Sequence, residues 1–506
     1  MLVLIIDELI TYRTKRYREE NTMTSNTEHK KDTDSDEIDG RRAKLILLAV
    51  AVGTFMSALD SSVVNIALPS ISSHFKAPLF IIEWVVMSYL LVISSLLLTY
   101  GRLGDMYGHK KIYIAGFVIF TIGSLLCGVA PTIAMLIAFR AVQALGAGML
   151  MSMGPAIVTD VTPAYRRGKA LGITAVAVSV ALTTGPVLGG FLTTHFGWQS
   201  IFFINIPIGI IGTFWVYKIV PNQSLCEVQN FDVAGAATVF LALMSILIPL
   251  SYTEKYGWGN SYIIASLIFG VLLLLLFVYI ENKIKSPMMD LGLFKSRLFT
   301  MSNVSALINY MAQFSVTLLM PFYLMQLKGL PPSKAGLMLI PMPVTMMIVA
   351  PISGALSDRF DSRYISSAGM GLISFGIFLL SRLSFDSTTA YIILTLAIIG
   401  LGSGLFQTPN NSAIMGSVPG NRRGIASSML ATMRNMGMVM GVAVSGALFS
   451  SRLGYLKSVM SSQGIAGSKL EVASFMGALS FTLAVSSVLA AAAILTSLMK
   501  GSTKSE

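Results

Sequence analysis

From residue 44 to residue 498 the chain is a succession of long apolar stretches separated by short polar ones. Stretches near 20 residues have the length a helix needs to cross about 30 Å of hydrocarbon. The pattern predicts helices over 44–68, 80–99, 111–130, 132–156, 169–193, 199–219, 232–251, 261–281, 299–325, 334–354, 364–383, 390–412, 424–450 and 475–498. Fourteen crossings place both ends of the chain on one side. The first 43 residues read differently. Residues 2–6 are apolar but too few to span, and charged residues rather than a small-residue cleavage site follow them. Residues 13–43 are polar and charged and predict a disordered cytoplasmic tail, with Met23 as a second possible start.

Composition sharpens the class. Apolar residues make up 54% of the 506 and charged residues only 12%. A soluble domain carries about 25% charged residues, so a water-coated globule is excluded. The net charge of +12 is carried by the loops. If the N-terminus is cytoplasmic, the inner loops and flanks hold twenty lysines and arginines and the outer loops eight. The positive-inside rule then makes both termini cytoplasmic, and topology rather than a nucleic-acid partner explains the charge. No loop is long enough for a catalytic domain, and no G-x-x-x-x-G-K-[ST] stretch is present. The chain therefore reads as no enzyme and as no direct user of ATP. The four histidines fall in loops or the tail without metal-ligand spacing. Cys127 reads as intramembrane and Cys226 as cytoplasmic, which predicts no disulfide.

The chain repeats itself. Pro163-Ala-Tyr-Arg166-Arg167-Gly168-Lys-Ala170 recurs 256 residues later as Pro419-Gly-Asn-Arg422-Arg423-Gly424-Ile-Ala426. Gly146 and Gly148 match Gly402 and Gly404 at the same offset, as Gly185 and Gly190 match Gly441 and Gly446. Gly101-Arg-Leu-Gly-Asp105-Met-Tyr-Gly108-His-Lys110-Lys111 matches Gly354 to Arg363, with Asp358 at the place of Asp105. Predicted helices 1–6 thus correspond to helices 9–14. The expected plan is a cytoplasmic tail (1–43), a six-helix bundle (44–220), two extra helices with linkers (221–297), a second six-helix bundle (298–498) and a short tail (499–506). Two parallel six-helix repeats around a central site are the plan of a rocking secondary transporter.

Four stretches resemble the major facilitator superfamily, and within it the fourteen-helix drug:proton antiporters. Leu59-Asp60-Ser-Ser-Val-Val-Asn65-Ile-Ala-Leu-Pro69 resembles the helix 1 signature of that branch, with Ser62 where Thr is usual. Gly101 to Lys111 resembles the superfamily's loop 2–3 signature. Arg140 with Gln143, Gly146 and Gly148 resembles the helix 4 motif. Gly185-Pro186-Val-Leu-Gly189-Gly190 resembles the helix 5 motif of antiporters. The resemblance implies an all-α membrane fold of two six-helix bundles plus two helices, in the plasma membrane. It implies no cofactor beyond the proton as coupling ion.

Each motif has its own physics. Gly101 and Gly108 permit a tight turn and close helix approach. Asp105, and Asp358 in the repeat, are either a conformational latch facing basic groups such as Lys110, Arg166 and Arg167, or solvated loop charges that set topology. Gly185, Pro186, Gly189 and Gly190 form either a hinge or a packing seam.

Embedded ionisable groups are costly and mark function. Here they are Asp60, Arg140, Arg434 and, near the mouth of helix 2, Glu83. Asp60 and Arg140 each lie about eight residues, or about 12 Å, below the outer surface. The expectation is that Asp60 binds the coupling proton with Arg140 and Glu83 beside it, the alternative being a static ion pair. Arg434 is either a pathway residue or a packing group. Tyr89, Asn309, Tyr310, Gln313, Phe314, Gln407, Asn410, Asn411 and Arg434 are expected to line the cavity, with some of the 30 methionines as adaptable apolar surface. With acids only in the first half, the expected substrate is a lipophilic cationic drug or dye, exported by a monomer. The alternative is an endogenous amphiphile such as a lipid, fatty acid or peptide metabolite.

Overall fold

A computed structural model of the protein describes residues 32–162, 167–221, 233–257, 259–284, 291–419 and 422–501. Among them all regular structure is helical. The main helices of the first half are α1 (Asp32–Phe75), α2 (Trp84–Tyr107), α3 (His109–Gly128), α4 (Ile133–Val161), α5 (Arg167–Phe196) and α6 (Asn205–Ile219). Then come α7 (Val233–Ser251) and α8 (Ser261–Lys283). The second half holds α9 (Arg297–Phe322), α10 (Pro341–Arg359), α11 (Ser362–Ser381), α12 (Thr389–Gly416), α13 (Arg423–Ser462) and α14 (Gly467–Leu498). Single helical turns at Leu79–Ile82 and Ser200–Phe203 lead into α2 and α6, and Pro332–Leu339 leads into α10. Among the described residues thirteen helices are long and apolar enough to cross a membrane, and Ala237–Leu250 within α7 is a shorter apolar stretch.

Three expectations need correcting. Asp32–Arg42, read as disordered tail, continues α1 toward its N-terminus. No proline interrupts this stretch. Residues 451–462, read as an outer loop, extend α13. Apolar character fades near residue 450, but nothing stops the helix until Gly464 turns with φ of +79°. The described histidines are at helix ends rather than in loops: His74 and His195 sit in the last turns of α1 and α5, and His109 opens α3, while His29 lies outside the described residues.

Packing repeats between the halves. In the first, α1 packs on α5, α2 on α4, and α3 on α4 and α6. In the second, α9 packs on α13, α10 on α12, and α11 on α12 and α14. Matched glycines make close crossings in both halves. A Cβ on Gly146 would strike the α3 backbone at Gly116 and Phe120, and one on Gly402 would strike the α11 backbone at Gly369 and Ile373. Between the halves α2 packs on α13, while α5 packs on α10 and its lead-in. These two contacts exchange under the repeat, so a pseudo-twofold relates the bundles. The α7–α8 pair touches α2 and α13 through α7.

The halves meet at the end that carries the α1–α2, α5–α6 and α9–α10 connections. There the backbone amide of Ser333 donates to Thr194 Oγ1 at 3.0 Å. Gly190 and Gly336 face the carbonyls of Pro332 and Pro186, with no room for a Cβ.

Candidate functional site

Asp60 lies mid-helix in α1 and is fully buried. Helix period brings Arg140 and Gln143, three residues apart on α4, onto one face toward it. Arg140 Nη1 donates to Asp60 Oδ2 at 2.5 Å and to Gln143 Oε1 at 2.6 Å, and its Nε donates to the Val85 carbonyl at 3.0 Å. Gln143 Nε2 donates to Asp60 Oδ1 at 2.8 Å and to Ser124 Oγ at 2.7 Å. Asn205 Nδ2 reaches Asp60 Oδ1 at 2.9 Å. The Gln143 amide can point only this way, because the reverse would set its NH₂ against the guanidinium and its oxygen against the carboxylate.

The network joins α1, α3, α4 and α6, and α2 closes it. Arg140 stacks on the Tyr89 ring at 4.1 Å, and the Tyr89 hydroxyl donates to the Ser57 carbonyl at 3.3 Å. Asp60, Ser124, Arg140, Gln143 and Asn205 are at most 1% exposed. Two opposite charges in a dry bundle are tolerable only with good geometry and further hydrogen bonds, and both conditions are met here. Donors meet both Asp60 oxygens, which suits an ionised carboxylate. A proton on Asp60 would neutralise the charge that Arg140 faces and weaken the ion pair that joins α1 to α4.

The structure sorts the other predicted residues. Tyr89 belongs to the Asp60 network rather than to a cavity wall. Glu83 does not join that network: its carboxylate lies against Gly446 of α13, where a Cβ could not fit. Gly185 and Gly189 admit Ser62, Val63 and Ile66 of α1, a seam inside the first half, whereas Pro186 and Gly190 face the second half. Ser62, the departure from the usual Thr, donates to the Leu182 carbonyl on α5. Gly108 turns α2 into α3 with φ of +93°, whereas its counterpart Asp361 caps α11 through the Arg363 amide at 3.0 Å. Gly101 is helical with ordinary contacts, and Lys110 sits 5.6 Å over the Tyr217 ring. The side chains of Asp105, Arg167 and Asp358, with Arg166 and Cys226, lie outside the described residues.

In the second half Gln313 Nε2 donates to Asn309 Oδ1 at 2.6 Å, and Ser403 Oγ donates to Gln313 Oε1 at 3.0 Å. This neutral cluster occupies the counterpart of the Asp60 site, since 252 residues after Asp60 stands Ala312. The Tyr310 hydroxyl and the Arg434 guanidinium are close neighbours between α9 and α13. Phe314 packs at Gly441. Asn410 is buried, donating to the Ser302 carbonyl and accepting from Lys500 Nζ at 2.5 Å, so it ties helices together rather than lining a pocket. Gln407 is half-buried and Asn411 exposed. Sequence reasoning missed Asn205 as an Asp60 partner, Ser124, which accepts from Gln143 and Asn205, and Glu281, which is buried in the last turn of α8. The signal for Asn205 was present as a lone amide between Ile204 and Ile206.

Comparison with known proteins decides the family. The model of the Major Facilitator Superfamily matches residues 50–232 and 230–442. The chain belongs to this superfamily. It is 40% identical over 415 residues, 81% of its length and 89% of the relative's, to a protein of Clostridioides difficile named riboflavin transporter RibZ. It is 32% identical, over 82% of its length and 77% of the relative's, to the multidrug resistance protein Stp of Mycobacterium tuberculosis. Its fold matches a bacterial homologue of the human lysosomal transporter Spinster with a TM-score of 0.62 at 18% identity, covering 90% of this chain and 97% of that one. As a multidrug-type member of the major facilitator superfamily, the protein is a multi-pass membrane transporter of small molecules, not an enzyme.

Proposed function

We propose that the protein exports amphiphilic organic molecules, drugs and dyes among them, in exchange for protons, by alternating access. It works as a monomer of fourteen spanning helices with both termini cytoplasmic. The observation that carries the coupling is the closed network in which Arg140, Gln143 and Asn205 hold both oxygens of Asp60. A proton on Asp60 releases Arg140, and release of Arg140 loosens α4 from α1 and α2. Deprotonation re-forms the network. In this reading the sealed end of the halves faces outward, and the chain stands in its inward-facing state.

Charge at this site no longer argues for a cationic substrate. Arg140 offsets Asp60, so a cation entering the cleft meets no uncompensated negative charge there. A second reading, transport of a flavin, is favoured by the 40% identity to a protein named a riboflavin transporter. Riboflavin that competes with dye for transport supports this second reading. Uphill dye transport in proteoliposomes under an imposed pH gradient tests the proposal as a whole. The wild type accumulates dye, and Asp60→Asn only equilibrates it. Uphill accumulation by Asp60→Asn on the pH gradient alone refutes the coupling role.

A further inference from the structure

The two embedded arginines stand in opposite circumstances. Arg140 is 1% exposed and carries an ion pair, three hydrogen bonds and an aromatic face. Arg434 is only partly buried and makes no ion pair with any described acid. The polar group beside it is the neutral Tyr310 hydroxyl, and its Nε is buried with no hydrogen-bond partner.

Position places this unmatched charge at mid-membrane. Arg434 is eleven residues into α13, about 16 Å from its start, and Tyr310 is thirteen residues into α9, about 20 Å from its start. The helices touch at this level, since a Cβ on Gly437 would strike the α9 backbone at Leu307 and the Tyr310 side chain. An unpaired cation held there is costly unless something supplies negative charge. Glu83 does not supply it, because Gly446, against which it packs, lies twelve residues or about 18 Å further along α13.

Neighbouring unsatisfied groups have the same polarity. Asn435 Nδ2, beside Arg434, and Asn309 Nδ2, beside Tyr310, are buried without partners. Each is an N–H donor. Gln313 and Ser403 already occupy the Asn309 and Gln313 oxygens. Within one helical turn of the Gly437–Tyr310 contact, what α9 and α13 leave open is therefore one positive charge and three donor atoms. The nearest unsatisfied acceptor on α9, Asn303 Oδ1, lies six residues or about 9 Å away.

We propose that α9 and α13 form the substrate's head-group site, with Arg434 as its anchor, and that it selects amphiphiles bearing an anionic group over otherwise equal cationic ones. This rests on the reading that substrate passes between the two halves. The halves then divide the work. The first keeps its charges paired and handles the proton, while the second keeps a cation unpaired until substrate arrives. Tyr310 is a positioning residue that orients the guanidinium.

The test is direct binding of two dyes sharing one xanthene ring system, an anionic fluorescein type and a cationic rhodamine type. Each is titrated against the purified full-length protein in nanodiscs at one pH, without a gradient, and read by fluorescence anisotropy. The wild type is expected to bind the anion about tenfold tighter than the cation, the scale of one charge-assisted contact. Arg434→Gln abolishes that preference, Arg434→Glu inverts it, Arg434→Lys keeps most of it, and Tyr310→Phe weakens anion binding a few-fold. Wild-type preference for the cation overturns the proposal without any variant having to fold. So does an Arg434→Gln protein that binds the anion as the wild type does. Binding is read without a gradient and proton coupling is read as flux, so failure of proton coupling and failure of this site are separately visible.

Discussion

Replacing Arg140 by Met removes a guanidinium that donates to Asp60 at 2.5 Å, to Gln143 at 2.6 Å and to the Val85 carbonyl at 3.0 Å. It leaves the Asp60 carboxylate buried with two neutral donors, Gln143 and Asn205. Breaking a buried pair from one side costs about 3–5 kcal/mol, because the other charge stays behind. Asp60→Asn strands Arg140 in the same way and costs a similar amount. The double variant strands neither charge. Its cost falls well short of the sum of the singles, leaving an interaction of about 2–4 kcal/mol. That figure separates a charge pair from ordinary helix packing, since neutral hydrogen bonds between membrane helices contribute about 0.6 kcal/mol and at most about 1.7. The assay is a double-mutant cycle on unfolding free energy, measured by denaturing-detergent titration of the purified protein in mixed micelles. An interaction below about 0.5 kcal/mol, within the scatter of independent sites, refutes the claim that the network is one unit.

Further predictions follow from packing and from one terminal lysine. Gly146→Val and Gly402→Val each drive a side chain into a facing helix backbone and lower thermal stability by at least the roughly 1–3 kcal/mol of an overpacked core; equal stability to wild type in a melting experiment contradicts the crossing geometry. Gly446→Ala pushes against the Glu83 carboxylate and weakens the seal between α2 and α13. Cysteines placed near Glu83 are then labelled faster from outside than in the wild-type background, and unchanged labelling contradicts that seal. Burial pulls the Lys500 ammonium down from its usual range to about 7, against a smaller opposing pull from Asp361. The folded chain then binds fewer protons than the unfolded one between about pH 7 and 10.5, so stability from this group rises with pH across that window. Melting curves at pH 7 and 9 should show this rise in the wild type and lose it in Lys500→Met.

Much of the scaffold was legible because membrane crossing imposes simple rules. Length and apolarity located the helices, and paired glycines and loop motifs at near-constant offsets located the repeat. What composition could not reach was the helix beyond the hydrocarbon. The ends of α1 and α13 are polar, and a hydropathy pattern stops where apolar residues stop although the backbone hydrogen bonds continue. At the site, equal depth suggested that Asp60 and Arg140 face each other, but depth alone says nothing of angle. Asn205 was passed over because a single amide in an apolar run, though visible, carries no period that points it at Asp60. Glu83 was grouped with Asp60 on charge alone, and rotation about α2 sends it instead to Gly446. Charge counting also treated Asp60 as a free acid, and only the contacts reveal that Arg140 offsets it.

The central claim is that Asp60 carries the proton whose movement drives transport. Proton flux triggered by substrate measures it most directly, with the purified protein in sealed proteoliposomes containing a pH-sensitive dye and no preset gradient. Substrate added on one side should drive counter-movement of protons through the wild type. Asp60→Asn should exchange labelled substrate across the membrane with no substrate-dependent proton signal. An Asp60→Asn protein that moves protons with substrate as the wild type does, or a wild type that moves substrate without protons, contradicts the account.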